Sequence, residues 1–442
     1  MNARVQALAL GLLAVTVAAP PAAGAIAERL PAVLSLDAAL ALARKHQPDL
    51  RAAHFNTVAA EARVDEQYSN LLPQVNANAS YARQAGTQVT AVPATGTSQG
   101  GLVTTTRTTN VYRASASASQ LLWDFGQTIR KRDAAQASAD ATLDTEKASA
   151  LSIDLNLRAA FYTASTARSN VDVARETLAN QNKHLEQIQA FVDLGRNPTI
   201  DLLQARVDQA NAEVTLINAQ NDYASARAVL NQAMGVEADI TYEVEPTVSA
   251  PVPGESASLD TLVDEALKAR PELASLQSQV RAQMMTNKSV YGRYWPTLQA
   301  QANGIYSGLE LDRLTWLVSA GLGLQWTLFD GGETRATLRE GDAQIAALQA
   351  QIDSLRLQVR VDVEQARLAV AATKASLGAA DRSLTNARAR LDLAELRYRT
   401  GVGSIIELSD AQLAATTAAF QKLQAQLKLD TARAQLTKAL AR

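Results

Sequence analysis

Two stretches of this chain, 127–194 and 333–400, each run for 68 residues without a proline. A helix of that length measures roughly 100 Å at about 1.5 Å per residue. Such helices are too long for the core of an ordinary globular domain and must pack along their length. Val171, Ala174, Leu178, Gln181, Leu185, Ile188 and Val192 step by three and four along the first; Leu377, Ala380, Leu384, Ala387, Leu391, Ala394 and Tyr398 do so along the second. The second set is the first displaced by 206 residues, so one coiled-coil seam is written twice.

The rest of the chain is duplicated as well. SLDAALALARKHQPDL at 35–50 matches SLDTLVDEALKARPEL at 258–273, an offset of 223. WDFGQT at 123–128 matches FDGGET at 329–334, and LGRNPTIDLLQA at 194–205 matches TGVGSIIELSDA at 400–411, both at an offset of 206. The difference, 223 − 206 = 17, assigns 17 extra residues to the first copy between Pro73 and Trp123. The uncharged Gly/Thr/Ser-rich stretch 84–106 within that interval is read as a long exposed loop.

Each copy therefore reads as a helix, two strands, a very long helix and a final helix. The first helices span 35–70 and 258–291, begin at Ser-Leu-Asp caps and are broken early by Pro48 and Pro271. The final helices span 198–234 and 404–441, with Pro198 expected at the first helical position after Asn197. First and last helices together match one long helix, so stacked end to end they can line it. The expected division is a leader over 1–25, repeats over 26–235 and 258–442, and a linker over 236–257.

The strand-like segments alternate strictly. In 316–328, Val318, Ala320, Leu322, Leu324, Trp326 and Leu328 alternate with Ser319, Gly321, Gly323, Gln325 and Thr327; segments 74–82, 111–123 and 297–306 do likewise. Period two over such lengths suits a tilted bilayer-spanning strand, and equally a half-buried sheet in a water-soluble domain. Two features favour the membrane. Trp123, Trp295, Trp316 and Trp326, the four tryptophans, stand at or near strand ends, as in an interfacial belt. Residues 1–25 carry Arg4, an apolar run over 7–19 and a small-residue close at Ala23-Gly24-Ala25, the order of a secretory signal with cleavage expected after Ala25. Four strands cannot close a barrel, and open edges in lipid leave unpaired backbone groups. Several chains must contribute; three would supply twelve strands and a lumen wide enough for solutes.

At this point the chain resembles the TolC family of outer-membrane channel-tunnel proteins. The resemblance rests on the duplicated plan, on LLP and YWP where strands begin, on WDFG and FDGG at strand-to-helix junctions, and on the paired tips DLGRNPTIDLLQA and YRTGVGSIIELSDA. It implies an α+β membrane protein: a homotrimer with a twelve-stranded β-barrel in outer-membrane lipid, continued by a long α-helical barrel of antiparallel coiled coils crossing the periplasm. The tip would dock a periplasmic adaptor joined to an inner-membrane transporter of RND, ABC or MFS type, and drugs or secreted polypeptides would pass through. By motif match the periplasmic gate is the acidic pair Glu407 and Asp410. Gly195, Pro198, Asp201, Tyr398, Gly401 and Gly403 form the tip and its docking surface. A basic residue that the resemblance leads one to expect between the tip helices is Gly403 here, a departure that leaves the strength of a closed-state lock open. A plainer reading also stands: Ser404-x-x-Glu407 is a capping box, and Asp410 suits a helix N-terminus.

Composition removes other classes. There is no cysteine, hence no disulfide, thiolate metal site, cysteine nucleophile or lipidated N-terminal Cys. His46, His54 and His184 are scattered, so no metal or other cofactor is expected. A net charge of −2 gives no footprint for nucleic acid. No GxSxG, Walker or HExxH motif is present, so no enzyme is expected. The rival of a different class is a secreted coiled-coil structural or adhesive protein.

Overall fold

The computed structural model describes residues 32–92, 101–196, 198–236 and 242–442. The expected leader, the capping role of Asn197 and part of the expected linker lie outside the described residues. The elements run β1 (Val33–Leu34), α1 (Leu36–His46), α2 (Pro48–Ser69), β2 (Gln74–Val92), β3 (Gly101–Trp123), α3 (Gln127–Asp193) and α4 (Thr199–Met234). They continue with β4 (Glu243–Val244), α5 (Leu259–Ala269), α6 (Pro271–Tyr291), β5 (Thr297–Gly308), β6 (Thr315–Gln325), α7 (Glu333–Arg399) and α8 (Ile405–Ala439).

Both long helices form, with 67 residues each. The prolines break the first helix of each repeat as expected: Gln47 and Arg270 take extended backbone immediately before Pro48 and Pro271. Ser35 and Ser258 cap their helices by accepting from the amides of Ala38 and Thr261. Pro198 departs from expectation: it is the extended N-cap residue itself, and the helix starts at Thr199.

The helices form one curved layer rather than a ball. Nearer the strands α3 lies between α2 and α6, with α7 beyond α6; toward the other end α3 lies between α4 and α8, with α7 beyond α8. Hydrogen bonds mark the crossings. Ser275 donates to the carbonyl of Ala141 at 2.9 Å between α6 and α3, and Gln181 donates to Gln412 at 3.1 Å between α3 and α8. The seam residues Val171, Ala174, Leu384, Ala394 and Tyr398 are buried.

At mid-height the ends of the short helices meet. β1 and β4 pair in parallel, Leu34 opposite Val244, over a core of Phe161, Leu157, Leu230 and Met234. Arg433 and Lys374 converge on Glu255, each at 3.3 Å, and Ser249 donates from its amide and hydroxyl to the buried Asp430, fastening the segment after β4 onto α8 and α7. Gly235, closing α4, has φ +71°, and a Cβ there would lie 2.8 Å from the Cα of Gln47 and the carbonyl oxygen of His46.

The strands form a single antiparallel sheet in the order β2-β3-β5-β6. The expected loop over 84–106 is a correction: β2 and β3 continue through most of it, paired from Gln74↔Ser119 to Val92↔Gly101, and only 93–100 lies outside the described residues. The composition was read as Gly/Thr/Ser loop, but its threonines and valines are β-branched and favour a paired ladder. The second hairpin is shorter, and β6 stops at Gln325, so Trp326–Leu328 leave the strand.

The WDFG and FDGG motifs are the joints between sheet and long helices. Asp124 accepts from the amides of Gly126 and Thr128 at 3.0 and 2.6 Å; Asp330 accepts from those of Gly332 and Thr334, both at 2.9 Å. The two intervening residues are left-handed in both copies: Phe125 and Gly126, then Gly331 and Gly332. Phe125 tolerates φ +54° while its ring stacks on Trp295, centroids 5.3 Å apart.

Two outcomes follow. Gly235→Ala should lower stability by about 2 kcal/mol or more, through strain and a backbone clash, read as a lower melting temperature in detergent. The Thr334 hydroxyl and the amides of Thr334 and Gly332 hold the Asp330 carboxyl below its usual range. Its contribution is complete above the unfolded carboxylate pKa of about 4 and is lost as pH falls through the lower folded value. Exchange of the Thr334 amide, corrected for intrinsic rate, should be protected from pH 7 down to about pH 4 and lose protection only as pH falls through the lower folded value. Thr334 protection at pH 7 unchanged by Asp330→Ala would count against the Asp330 joint.

Candidate functional site: the barrel wall and the helical tip

The strand register sorts side chains onto two faces. On one lie Val75, Ala77, Ala79, Ala116, Ala118, Ala302, Val318, Ala320, Leu322 and Leu324. On the other lie Asn76, Asn78, Ser115, Ser117, Ser119, Gln299, Gln301, Asn303, Ser319 and two glycines, Gly321 and Gly323. One wall is thus apolar and the other is amide, hydroxyl and bare backbone, the division of a lipid face and a watered lumen.

Aromatic rings bracket the apolar face. At the hairpin end Tyr81 stands opposite Tyr112, ring centroids 5.0 Å apart, and Tyr306 opposite Trp316. At the helix end Trp123, Phe125 and Trp295 cluster, and the indole N–H of Trp326 donates to the carbonyl of Tyr294 at 3.1 Å. Ten residues separate Trp316 from Trp326, roughly 33 Å along a strand and about 25 Å once tilted, the height of an apolar bilayer band. The tryptophan belt was legible in the sequence. The tyrosines were missed, because only pairing register brings Tyr81, Tyr112 and Tyr306 level with Trp316.

Within the chain the sheet is open. β2 and β6 are its two outer strands, each paired on one side only. The helical layer is open in the same way. Toward the end away from the sheet α4 and α7 are its outer members. Along α4, Ile200, Leu203, Val207, Val214 and Ile217 are exposed at spacings of three, four and seven. Along α7, Leu357, Val361, Leu368, Leu393 and Leu396 are exposed. Among the described residues these are apolar stripes without a covering neighbour.

At the far end two helix–helix turns lie side by side. Gly195 (φ +70°) and Gly401 (φ +77°) end α3 and α7 in matching motifs. Arg196 and Gly195 donate to the carbonyls of Phe191 and Val192; Val402 and Gly401 donate to those of Arg397 and Tyr398. Behind the turns Ile188, Leu202, Ala205, Ala394, Tyr398, Leu408 and Ala411 share one core, so both repeats meet at the tip. Pro198, Gly195 and Gly401 are exposed, Asp201 and Gly403 are half-buried, and Tyr398 is buried.

The acidic pair is local and open. Ser404 accepts from the Glu407 amide at 3.1 Å, the first half of the capping box. The Glu407 carboxylate, however, meets the Arg397 guanidinium at 3.2 Å. Asp410, one turn on, is exposed. Gly403 is confined, since a Cβ there would approach Arg397 Cβ and the Tyr398 nitrogen to 3.0 Å. The guanidinium that meets Glu407 is that of Arg397, which sequence reading passed over because it belongs to the preceding helix. Between the repeats, Ser409 donates to Asp208 at 2.9 Å, and His184 lies 3.7 Å from Glu395. Burial holds the His184 imidazole below its ordinary pKa, partly offset by Glu395.

The family model "Outer membrane efflux protein" matches residues 39–236 and 262–442, one match to each repeat. The chain belongs to the outer membrane efflux protein family. This membership locates it in the outer membrane. It is 23% identical over 300 residues to outer membrane efflux protein BepC of Brucella suis biovar 1, covering 66% of this chain and 64% of that protein. It is 26% identical over 295 residues to protein CyaE of Bordetella pertussis, covering 66% and 62%. The chain's matches thus span somewhat under two thirds of those two relatives. The fold matches the solved structure of CusC with a TM-score of 0.75 at 18% identity, covering 92% of this chain and 91% of that one. Nothing among these relatives supports the secreted adhesive rod.

The face assignment makes an asymmetric expectation. Val318→Arg, in mid-band on the apolar wall, should cost about 2–4 kcal/mol of insertion. Ser319→Arg, one residue on and facing the lumen, should leave insertion near wild type. The yield of the folded, heat-modifiable form in lipid vesicles measures both.

Proposed function

We propose that the chain is one third of a passive outer-membrane exit duct, serving a tripartite efflux pump or a type I secretion system. The observation that carries this is the pair of open edges. β2 and β6 lack outer partners on a sheet with a lipid-suited face, and α4 and α7 expose apolar stripes along the same two sides. Three copies set edge to edge give twelve strands, satisfy the backbone groups that hydrocarbon would leave unpaired, and cover the stripes. The helical layer then continues the barrel as a tunnel. In that reading the mature chain divides as the duplication suggests, into repeats over 26–235 and 258–442 joined at the equator by 236–257, after a leader over 1–25. A conduit of this kind holds no cofactor and catalyses no reaction.

The tip, with Gly195, Pro198, Asp201, Tyr398, Gly401 and Gly403, docks a periplasmic adaptor and through it an inner-membrane transporter of RND, ABC or MFS type. Glu407 and Asp410 form the gate: three copies bring six carboxylates to the mouth, favouring cations and repelling anions. The Arg397–Glu407 pair braces the gate helix against α7 and supports a closed resting tip. Solutes or polypeptides delivered by the transporter pass through without further chemistry.

The mass of the detergent-solubilised protein tests the assembly. A trimer is expected, and a stable monomer in lipid would refute the duct. For the gate, Glu407→Gln with Asp410→Asn should raise single-channel conductance or reduce cation preference severalfold in planar bilayers. Conductance and selectivity both unchanged would remove the pair from the gate. Arg397→Ala should raise the fraction of time the channel is open, and an unaltered open fraction would exclude the brace.

A further inference from the structure

Within the four-stranded part of the sheet the polar wall is almost free of charge. Following the register, it presents Gln, Asn, Ser, Thr and Gly, with Leu121, Ile305 and Leu317. Arg113 is the single charged side chain on that four-stranded part of the wall among the described residues. It stands between Ser80 on β2 and Ser307 on β5, near the last level where the second hairpin still flanks the first. Beyond Tyr112, which still pairs with Gly308, β3 pairs only with β2 among the described residues. Arg113 is exposed, and among the described residues it has no acidic partner within ion-pair distance. Arg107 lies on the same wall six residues farther out, opposite Gly86. The neighbouring turn of the second hairpin carries Glu310, Asp312 and Arg313, of which Glu310 is engaged by Arg313 at 3.6 Å.

From this placement we propose that Arg113 is a selectivity residue: three copies form a guanidinium collar at the outer rim of the barrel that concentrates oxyanionic solutes, bearing carboxylate or phosphate groups, at the exit. The proposal rests on the trimeric duct reading. A twelve-stranded barrel has a radius of roughly 12 Å from strand spacing and tilt. Its axis is thus within little more than one Debye length, about 10 Å at 0.1 M salt, of a charge on the wall. Three guanidiniums at one level therefore govern the potential over the whole cross-section. Below them the described wall offers only dipoles, and Arg107 farther out on the same wall adds charge of the same sign. The collar also opposes the acidic tip in sign. A carboxylate ring at the entrance and a guanidinium ring at the exit give the duct a fixed electrical polarity.

The test uses the full-length trimer in planar bilayers bathed in about 0.1 M KCl, where the Debye length is about 10 Å, with a gradient across the membrane. The tip carries Glu407→Gln and Asp410→Asn, so that the entrance does not mask the exit. Arg113→Gln should raise the potassium-to-chloride permeability ratio about threefold, the effect expected of three screened charges at this distance. Citrate added on the barrel side should lower chloride current in the parent, and its half-blocking concentration should rise about fivefold in Arg113→Gln. Arg113→Lys, which keeps the charge, should match the parent in permeability ratio. Channels of normal conductance whose selectivity and citrate response ignore Arg113→Gln would overturn the collar and leave the duct standing. An assembled protein that conducts nothing, even with Arg113 intact, would overturn the duct and the collar with it.

Discussion

Backbone hydrogen bonds left unmade along β2 and β6 set the terms for the rest of this molecule. In water an open strand edge is satisfied by solvent; in hydrocarbon each unpaired amide or carbonyl costs several kcal/mol. A sheet with one apolar wall, bracketed by aromatic rings about a bilayer apart, cannot sit in lipid with those edges bare. The repeats answer only part of this. They pair β3 with β5 across the duplication, joining two hairpins into four strands, and leave β2 and β6 as outer edges among the described residues.

The helices carry the same problem in another currency. Each long helix is lined on a side by two shorter ones in succession, because no single partner of the first or last helix type reaches its full length. The break between them is at mid-height, where β1 and β4 pair and Gly235 passes against the backbone at Gln47. Exposed apolar residues gather along α4 and α7, the outer members of the layer. The edges of sheet and helices lie on the same two sides of the chain, so one assembly covers both. The Asp-capped joints at Asp124 and Asp330 keep strand and helix in a fixed relation at the level where the two barrels would meet.

Charge is distributed by height. The apolar band and the facing lumen wall are nearly neutral, which suits a passage that must not hold what it conducts. On the described sheet the polar wall carries its charge toward the hairpin end, at Arg113 and Arg107, whereas the helices are charged along their length and place Glu407 and Asp410 beside the α7–α8 turn. Arg397 meets Glu407 across the tip turn, so part of the entrance charge is already compensated in the state described here.

Period and repetition carried far in the primary structure. Proline-free runs of 68 residues, each carrying a heptad stripe over its last third, dictated the long helices, because a three-four spacing suits no other element. Alternation marked the strands, and the matched offsets exposed two copies of one plan. Composition misled at 84–106, where threonine-rich chain reads as loop until a partner strand offers its hydrogen bonds. The level of Tyr81, Tyr112 and Tyr306 with Trp316, the isolation of Arg113 on a neutral wall and the pairing of Arg397 with Glu407 were beyond any reading of the chain alone. They depend on register and on which helices lie side by side. A local pattern can say that a residue faces in or out, since that follows from backbone geometry within a few residues. Which distant residue it then meets is decided only when the strands and helices are packed together.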